Sequence, residues 1–226
     1  MLQQIGKKYK WIGITCIFIA LTTFNLTNSN FINIFFPIKV VEYNKTVFLK
    51  ESTKSKANNF LMNKSLLWVN TKQAINLFNK NTWVETVIFA KKFPDTLQIS
   101  VLEYSPIAYF IKNKLIYLIN SNFKDALLDK NLNLENLIEV KNMKNIKSFK
   151  TFFLKIKNHD VFFLKIKVIN YIHDGRWDVV LKDGQLIKLG NYNLNKQVKY
   201  LNFILNNQTA KIIDLRYDGR VVLANE

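Results

Sequence analysis

Two histidine–aspartate pairs are the residues of this sequence closest in type and spacing to catalytic machinery. His159 precedes Asp160 and His173 precedes Asp174, and an imidazole beside a carboxylate can act as a general base in hydrolysis. Such a base needs a positioned serine or cysteine nucleophile, and neither pair has one at a recognisable spacing. The sequence also contains no G-x-S-x-G, P-loop or H-E-x-x-H motif. Both pairs are therefore predicted to be polar loop residues, and we expect no catalytic residue.

Metal and cofactor sites have equally little support. Cys16 is the single cysteine, which excludes an intramolecular disulfide and a cysteine-based zinc site. Asp174 and Asp178 lie where a strand is predicted to begin, so their four-residue spacing does not indicate a shared helix face, and they are interpreted as turn residues. A set of phenylalanines suggests a stacking platform, but their leucine and isoleucine neighbours favour strand core: Phe152, Phe153, Phe162 and Phe163. The sequence therefore predicts no metal and no cofactor.

The charge of the chain is high but spread out. Its 226 residues include 33 Lys and Arg against 16 Asp and Glu, for a net charge of +17, and only three of the basic residues are arginine. Nucleic-acid-binding surfaces use arginine for bidentate contacts and cluster their basic residues. Lysines here occur in every segment, so we expect a solvated basic surface and no nucleic-acid partner.

An apolar run near the N-terminus determines the compartment. Lys7, Lys8 and Lys10 precede the run, which begins at Trp11, and no charged residue follows before Lys39. Residues 11–27 would span about 26 Å as a helix, near the lower limit for crossing a bilayer. The lysines favour a cytoplasmic tail over 1–10, a transmembrane helix over 11–28, and the remainder outside the cytoplasm. A cleaved signal peptide is the alternative, but no small-x-small cleavage site follows the run.

The region 35–104 predicts a strand, two helices and two further strands. Phe93-Pro94-Asp95-Thr96 is a turn signal, and the alternation after it is typical of a half-buried strand. Thr71 is the expected N-cap of the second helix. The predicted elements are a strand over Pro37–Tyr43, a helix within 46–62, a helix over Lys72–Asn79, and strands over Trp83–Lys91 and Leu97–Val101.

The region 105–226 is predicted to form a second domain rich in strands. Two strands are expected around Tyr109 and Tyr117, whereas 121–165 fits either strands or a helix–strand pair. Residues 176–190 predict a hairpin, because Trp177 starts an alternating strand and Asp183-Gly184 is a tight-turn signal. A helix is expected from Asn193, with strands over Lys211–Asp218 and Val221–Leu223 after it.

The segment Trp83–Ala108 resembles the POTRA domain of the bacterial cell-division family FtsQ/DivIB. The shared features are an apolar pair, a basic residue, a hairpin proline, an alternating strand, and then Glu, Pro and Ala. These are Trp83, Val84, Lys91, Pro94, Leu97, Ile99, Val101, Glu103, Pro106 and Ala108. Outer-membrane assembly proteins also carry POTRA domains, so this segment alone leaves open a POTRA-containing chaperone of envelope protein assembly.

Two C-terminal segments resemble the β domain of the same family, in the same order. They are Arg176–Gly190 (RWDVVLKDGQLIKLG) and Lys211–Asp218 (KIIDLRYD), separated by the predicted helix. With the POTRA segment, the resemblance covers about 37–120 and 176–223. It implies an α+β protein with a single N-terminal transmembrane helix, a POTRA domain of order β-α-α-β-β, and a mixed or antiparallel β domain. That domain would have a late helix and a C-terminal strand.

The resemblance implies a non-enzymatic scaffold of the divisome in the inner membrane, with its N-terminus in the cytoplasm. It would bind FtsB and FtsL in the periplasm by β-strand addition to Lys211–Tyr217 and link them to other division proteins at the septum. A membrane-anchored periplasmic hydrolase is the alternative from another functional class. The residues implied in FtsB/FtsL binding are Ile213, Leu215, Arg216, Tyr217, Asp218, Val221 and Arg176. Those implied in docking through the POTRA domain are Thr86, Phe89 and Lys91, and Phe89 fits the domain core equally well.

Overall fold

The computed structural model describes residues 14, 15, 18, 35–129, 132–207 and 210–225. The predicted transmembrane helix over 11–28 lies almost entirely outside these residues. Within the described parts, no helix is long and apolar enough to cross a membrane. The chain divides into two compact units, Met1–Glu103 and Tyr104–Glu226.

The first unit is a three-stranded sheet with two helices, in the predicted order. Its sheet order is β1-β3-β2, with β1 parallel and β2 antiparallel to β3. The hairpin between β2 and β3 turns at Pro94-Asp95, as the turn signal predicts. The elements are β1 (Val40–Tyr43), α1 (Glu51–Leu61), α2 (Thr71–Phe78), β2 (Val84–Lys92) and β3 (Thr96–Glu103).

Both helices of the first unit pack on one face of the sheet. Ala74 and Phe78 of α2 are fully buried against Leu97 and Ile99 of β3, because a spacing of four places them on one helical face. The N-cap of α2 is Asn70 and not Thr71: the Asn70 side chain accepts a hydrogen bond from the Gln73 backbone N–H at 3.2 Å. Asn and Thr both favour the N-cap position, so where the two are adjacent the backbone conformation decides which of them caps the helix.

Glu103, one of the residues that carries the POTRA resemblance, has a structural role. Its carboxylate accepts hydrogen bonds from the backbone N–H groups of Val47 and Phe48, at 2.7 and 2.9 Å. It thereby ties the segment before α1 to the end of β3. Charge-assisted bonds of this kind are stronger than those between neutral groups.

The second unit is built on one large mixed sheet. Its nine described strands have the order β12-β11-β10-β9-β8-β7-β4-β5-β6. The strands are β4 (Pro106–Lys112), β5 (Leu115–Asn120), β6 (Asp125–Leu127), β7 (Ile138–Lys141), β8 (Ile166–Tyr171), β9 (Trp177–Leu181), β10 (Leu186–Leu189), β11 (Ile212–Leu215) and β12 (Val222–Ala224). The helices are α3 (Ile146–Lys157), α4 (Asp160–Phe163) and α5 (Leu194–Asn207).

The three helices pack against one face of this sheet. Alternate residues of β9, β10 and β11, among them Val179, Ile187 and Ile213, belong to the same buried cluster as Phe149 of α3 and Leu201 of α5. Their strand neighbours, which have the opposite parity, point to the other face. The hairpin of β9 and β10 forms around Asp183-Gly184, where Gly184 adopts φ 90°.

The phenylalanine-rich segment is helical, which corrects the expectation of a strand core. Phe149, Phe152, Phe153 and Ile156 are spaced as one face of α3, and all four are buried. Phe162 lies in the short helix α4 and is fully buried, and Phe163 is packed against the same cluster. The aromatic residues are therefore core, as expected, but they reach it from helices. Of the two alternatives left open for 121–165, the helix–strand pair is the one formed here, and the strand β8 begins at Ile166.

Candidate partner-binding surface

The strand β11 lies inside the sheet, which corrects the expectation that it offers a free edge. β10 pairs with it in parallel on one side, with Ile187 opposite Ile213. β12 pairs with it antiparallel on the other side, with Leu223 opposite Ile213. Its backbone hydrogen-bonding groups are thus used on both sides, and an incoming strand could reach β11 only by displacing β12.

The edge of the sheet is formed by β12. Among the residues the structure describes, no strand lies on its outer side. Val222 is 50% exposed and Leu223 is 39% exposed, and Ala224 is exposed as well. A short exposed edge strand presents unpaired N–H and C=O groups to a second chain. β12 is therefore the strand at the sheet edge, the position that the sequence resemblance led us to expect for β11.

The residues predicted to bind a partner separate into two groups. Ile213 and Leu215 are fully buried under the helices, so their side chains hold β11 in place. Their assignment to the partner-binding site stays a prediction. Tyr217 is 56% exposed and Val221 is 37% exposed, in the segment that connects β11 to β12. These two side chains are available beside the open edge.

Arg216 is already paired within the chain. Its Nε donates hydrogen bonds to both carboxylate oxygens of Asp214, at 2.8 and 2.9 Å, and a guanidinium NH₂ group bonds the same carboxylate. Burial by itself would raise the pKa of Asp214, but the hydrogen bonds from Arg216 lower it below its usual value. The Arg216 guanidinium carbon also lies 5.8 Å from the centroid of the Tyr217 ring. Arg216 therefore orients Tyr217 and keeps only part of its hydrogen-bonding capacity for a partner.

Two residues near the start of α5 support this segment, and sequence patterns did not predict them. The Tyr192 hydroxyl lies 2.8 Å from the Leu215 carbonyl and 3.1 Å from that of Tyr217. Lys196 bonds Asp218 at 2.8 Å. These contacts join residues more than 20 positions apart, so no local pattern signals them. They hold residues 215–218 against the start of α5.

A buried glutamine fixes the loop that carries Tyr192. The side chain of Gln197 accepts a hydrogen bond from the Gly190 N–H at 2.8 Å and donates to the carbonyls of Gly190 and Tyr192. Gln197 is fully buried, and buried amides are retained where all their groups are satisfied. It thus sets the position of Tyr192 and, through it, of the segment that ends in Tyr217.

A row of charged residues crosses the sheet on the face away from the helices. Asp178 lies opposite Lys188, and Lys188 lies opposite Asp214. Burial raises the pKa of Asp178 above its usual value, against the attraction of Arg176, Lys188 and Arg216. Within the described residues, Asp178 Oδ1 and Arg176 Nε are buried without a hydrogen-bond partner. Arg176 lies two positions before Asp178, just ahead of β9, with one buried donor unused.

Asp178→Asn should raise stability at neutral pH. Burial raises the pKa of the Asp178 carboxyl, so its charged form opposes folding, and removing the charge is expected to raise the free energy of unfolding by less than about 1 kcal/mol because the group is only partly buried. Because the pKa of Asp178 is raised in the folded chain, this gain should shrink as the pH falls through that pKa. It should vanish below the ordinary value of 3.8, where Asp178 is neutral in both states.

Urea unfolding of both chains at neutral and acidic pH measures this difference. Asp183→Asn, on the exposed β9–β10 turn, is the control and should change stability little. A loss of stability in Asp178→Asn at neutral pH would mean that the attraction of Arg176 and Lys188 outweighs burial.

The three POTRA docking candidates do not lie on one face of β2. Thr86 is exposed on the face away from the helices. Phe89 is half-buried and its ring centroid lies 6.3 Å from that of Phe78, so it belongs to the core of the first unit. Lys91 is exposed and its Nζ donates to the Leu67 carbonyl at 3.0 Å. β2 is an outer strand of the three-stranded sheet within the described chain.

The histidine–aspartate pairs lie on the surface. His173 Nδ1 is 3.0 Å from Asp174 Oδ2, with the two side chains 63% and 87% exposed. His159 is half-buried at the start of α4. In the described parts of the chain, no group of three His, Cys, Asp or Glu residues is arranged to hold a metal ion.

Comparison with known proteins gives matches in both units. The family described as "POTRA domain, FtsQ-type" matches residues 36–104, and "Cell division protein FtsQ/DivIB, C-terminal" matches residues 118–216. The cell division protein FtsQ of Rickettsia bellii (strain RML369-C) is 28% identical over 173 residues, which cover 74% of this chain and 64% of that protein. That of Rickettsia conorii (strain ATCC VR-613 / Malish 7) is 26% identical over 147 residues, covering 62% of this chain and 54% of that protein.

Two further relatives lie outside that genus. The FtsQ of Haemophilus influenzae (strain ATCC 51907 / DSM 11121 / KW20 / Rd) is 27% identical over 144 residues, which cover 60% of this chain and 56% of that protein. A solved structure of the major extracytoplasmic domain of DivIB from Geobacillus stearothermophilus, in its trans isomer, is 13% identical with a TM-score of 0.35. It covers 48% of this chain and 99% of that one.

The curated relatives compared here are matched over 54% to 64% of their own length. One family match falls in each compact unit, and the two agree with the predicted resemblance in identity and in order. The chain belongs to the FtsQ/DivIB family of bacterial cell-division proteins.

Proposed function

We propose that this chain is a non-enzymatic scaffold of the divisome that binds FtsB and FtsL in the periplasm. By linking them to other division proteins, it would help to control septal peptidoglycan synthesis without carrying out that chemistry. Family membership supports a role in cell division. The observation that carries the binding proposal is the open edge of β12 beside the exposed Tyr217.

The proposed contact is a strand of FtsB added to β12. An added strand gains backbone hydrogen bonds along the edge, and side chains on alternate positions then set its register. β12 is three residues long, so backbone pairing alone offers few bonds. Tyr217 and Val221 would supply the apolar contact that a short edge lacks. Arg176 stays a proposed contact on the strength of the family resemblance, through the part of its side chain that is not buried.

Cysteine crosslinking tests which strand receives FtsB. In a Cys16→Ala background, Val222→Cys and Ala224→Cys should form disulfides with cysteines placed along the pairing segment of FtsB, at matched positions only. Leu127→Cys, on the strand β6 at the opposite edge of the sheet, is the control and should give none. Crosslinks at Ile212→Cys in place of β12 would mean that FtsB displaces β12. Crosslinks at neither strand would remove strand addition from this edge.

We also infer that residues 11–28 anchor the chain in the inner membrane, with 1–10 in the cytoplasm. Three lysines precede the apolar run and no charge follows it before Lys39, which supports this orientation. A reporter that works only outside the cytoplasm, fused after Glu226, should be active. A mature chain that starts near Asn30 would identify a cleaved signal peptide instead.

The POTRA unit is proposed to bind a different division protein through β2. This strand is an outer strand whose Thr86 and Lys91 are exposed. Lys91→Glu should therefore reduce recruitment of the chain to the division site while crosslinking of FtsB to β12 persists. Lys72→Glu, an equal charge change on α2, is the control. If recruitment and crosslinking fall together, the two sites are not separate.

A further inference from the structure

The net positive charge of the second unit is concentrated on one stretch of its helix layer. Residues 144–165 carry six lysines against a single acid, Asp160, whereas the rest of 105–226 carries fourteen basic and ten acidic residues. The stretch contains α3 and α4 with their flanks. Within α3 there are four lysines and no acid. This local excess stands out from the general spread of lysine along the chain.

Apolar side chains are exposed among these lysines. Leu154 of α3 is 45% exposed, Val161 of α4 is 56% exposed, and Leu164 just after α4 is 69% exposed. The opposite sides of α3 and α4 are buried in the core, so these residues lie on the outer surface of the layer. We define the basic helix face as Lys147, Lys150, Leu154, Lys155, Val161 and Leu164.

An apolar groove opens at the edge of this face. Its volume is about 330 Å³, and its apolar lining includes Ile107, Leu137, Phe163 and Leu164. Lys157 and Lys182 lie among the lining residues. A groove with an apolar lining and ammonium groups suits a molecule with an apolar tail and an anionic head.

We propose that the basic helix face lies on an anionic phospholipid surface, with lysines at the headgroups and Leu154, Val161 and Leu164 in the interface. Lysine suits this role because its apolar stem packs with lipid while its ammonium reaches phosphate. Basic residues beside exposed leucine and valine on a helix are the pattern of interfacial membrane binding. An acidic protein would also attract the lysines, but it would leave the lipid-like groove unexplained.

This proposal does not depend on FtsB binding. The basic helix face belongs to the helix layer, whereas β12 is an edge of the sheet. The two proposals can therefore fail separately, and circular dichroism with thermal melting checks that each variant is folded.

A fluorescent label tests the contact in the full-length chain. In the Cys16→Ala background, Leu164→Cys is labelled with the environment-sensitive dye NBD and reconstituted with vesicles. Its emission should shift to shorter wavelength with equimolar phosphatidylcholine and phosphatidylglycerol, and not with phosphatidylcholine alone. High salt should reverse the shift, because the attraction is between exposed charges. The same label at Lys141→Cys, exposed on the other face of the sheet, should not respond.

Charge variants provide a second test of the proposal. The triple variant Lys147→Glu, Lys150→Glu, Lys155→Glu should abolish the shift. If this variant does not fold, the variant with glutamine at the same three positions should abolish it instead. The matched control is Lys112→Glu, Lys114→Glu and Lys124→Glu, which makes the same change of charge at exposed sites near β4 and β5 and should keep the shift. Four results would overturn the proposal: an equal shift in neutral vesicles, no shift in anionic ones, a response at Lys141→Cys, or an undiminished shift in the folded variants. If the true occupant were an acidic protein, the emission would not shift with either lipid composition, because neither kind of vesicle contains such a protein.

Discussion

Tyr217→Ala is expected to weaken FtsB binding by roughly thirtyfold, which corresponds to about 2 kcal/mol. Tyr217 is 56% exposed beside the open edge of β12, so its ring can bury apolar area against an added strand at little rotamer cost. Its backbone carbonyl is held near the Tyr192 hydroxyl, at 3.1 Å. Removing the ring should therefore leave the chain folded and the binding weakened, as titration of labelled FtsB would measure.

Arg216 gives the comparison for this prediction. Its guanidinium is committed to Asp214 and its side chain is 32% exposed, so any ion pair with FtsB should contribute about 1 kcal/mol or less. That contribution should weaken with salt, whereas the effect of Tyr217→Ala should not. Arg216→Ala alone would leave the buried Asp214 charge without its partner, so the variant to use is Arg216→Ala with Asp214→Asn.

Tyr200→Ala, exposed on α5, is the control for the aromatic truncation and should leave FtsB binding unchanged. Circular dichroism and thermal melting must first show that each variant is folded. An unchanged FtsB affinity in folded Tyr217→Ala would exclude Tyr217 from the interface.

Phe149→Ala is expected to lower the free energy of unfolding by about 3–5 kcal/mol. Phe149 is fully buried, and its ring centroid lies 5.3 Å from that of Phe153 and 6.3 Å from that of Phe123. Truncation removes a large apolar side chain and leaves a cavity between α3 and the sheet. Urea unfolding followed by circular dichroism would measure the loss.

Leu154→Ala on the same helix is the matched control, because Leu154 is 45% exposed. Its effect should remain within about 0.5 kcal/mol. A loss below about 1 kcal/mol in Phe149→Ala would contradict the packing of α3 against the sheet, because truncating an exposed side chain costs little stability.

Elements with strong local signals were predicted correctly from the sequence. The β9–β10 hairpin formed because Asp183-Gly184 allows the positive φ of a tight turn and the flanking residues alternate. The helix α5 followed from apolar residues at helical spacing, and Val198 and Leu201 are fully buried. The order of helices and strands in the first unit and the family membership were also predicted, because short motifs indicate both. All these signals lie within a few neighbouring residues.

The phenylalanine-rich segment was ambiguous because its pattern is compatible with two periods. Phe152-Phe153 and Phe162-Phe163 are adjacent pairs, which suit a buried strand as well as a helix face. The helix prevailed because Phe149 and Ile156 complete an i, i+3, i+4, i+7 set against the sheet. That set is recognisable only once the register of the helix is known.

The identity of the sheet edge was decided by the tertiary structure alone. Lys211–Asp218 has the strong β pattern, whereas β12 is a run of three residues that gives almost no periodic signal. Which strand forms the edge depends on whether that short run pairs with β11, and three residues carry too little pattern to predict the pairing. The same holds for the contact that holds Tyr217: the Tyr192 hydroxyl bonds its carbonyl from the loop before α5, and Gln197 in turn bonds the Tyr192 carbonyl. The sequence by itself therefore determined the family and most of the helices and strands. The position of the open edge and the support of Tyr217 required the folded chain, because both arise from residues that only tertiary packing brings together.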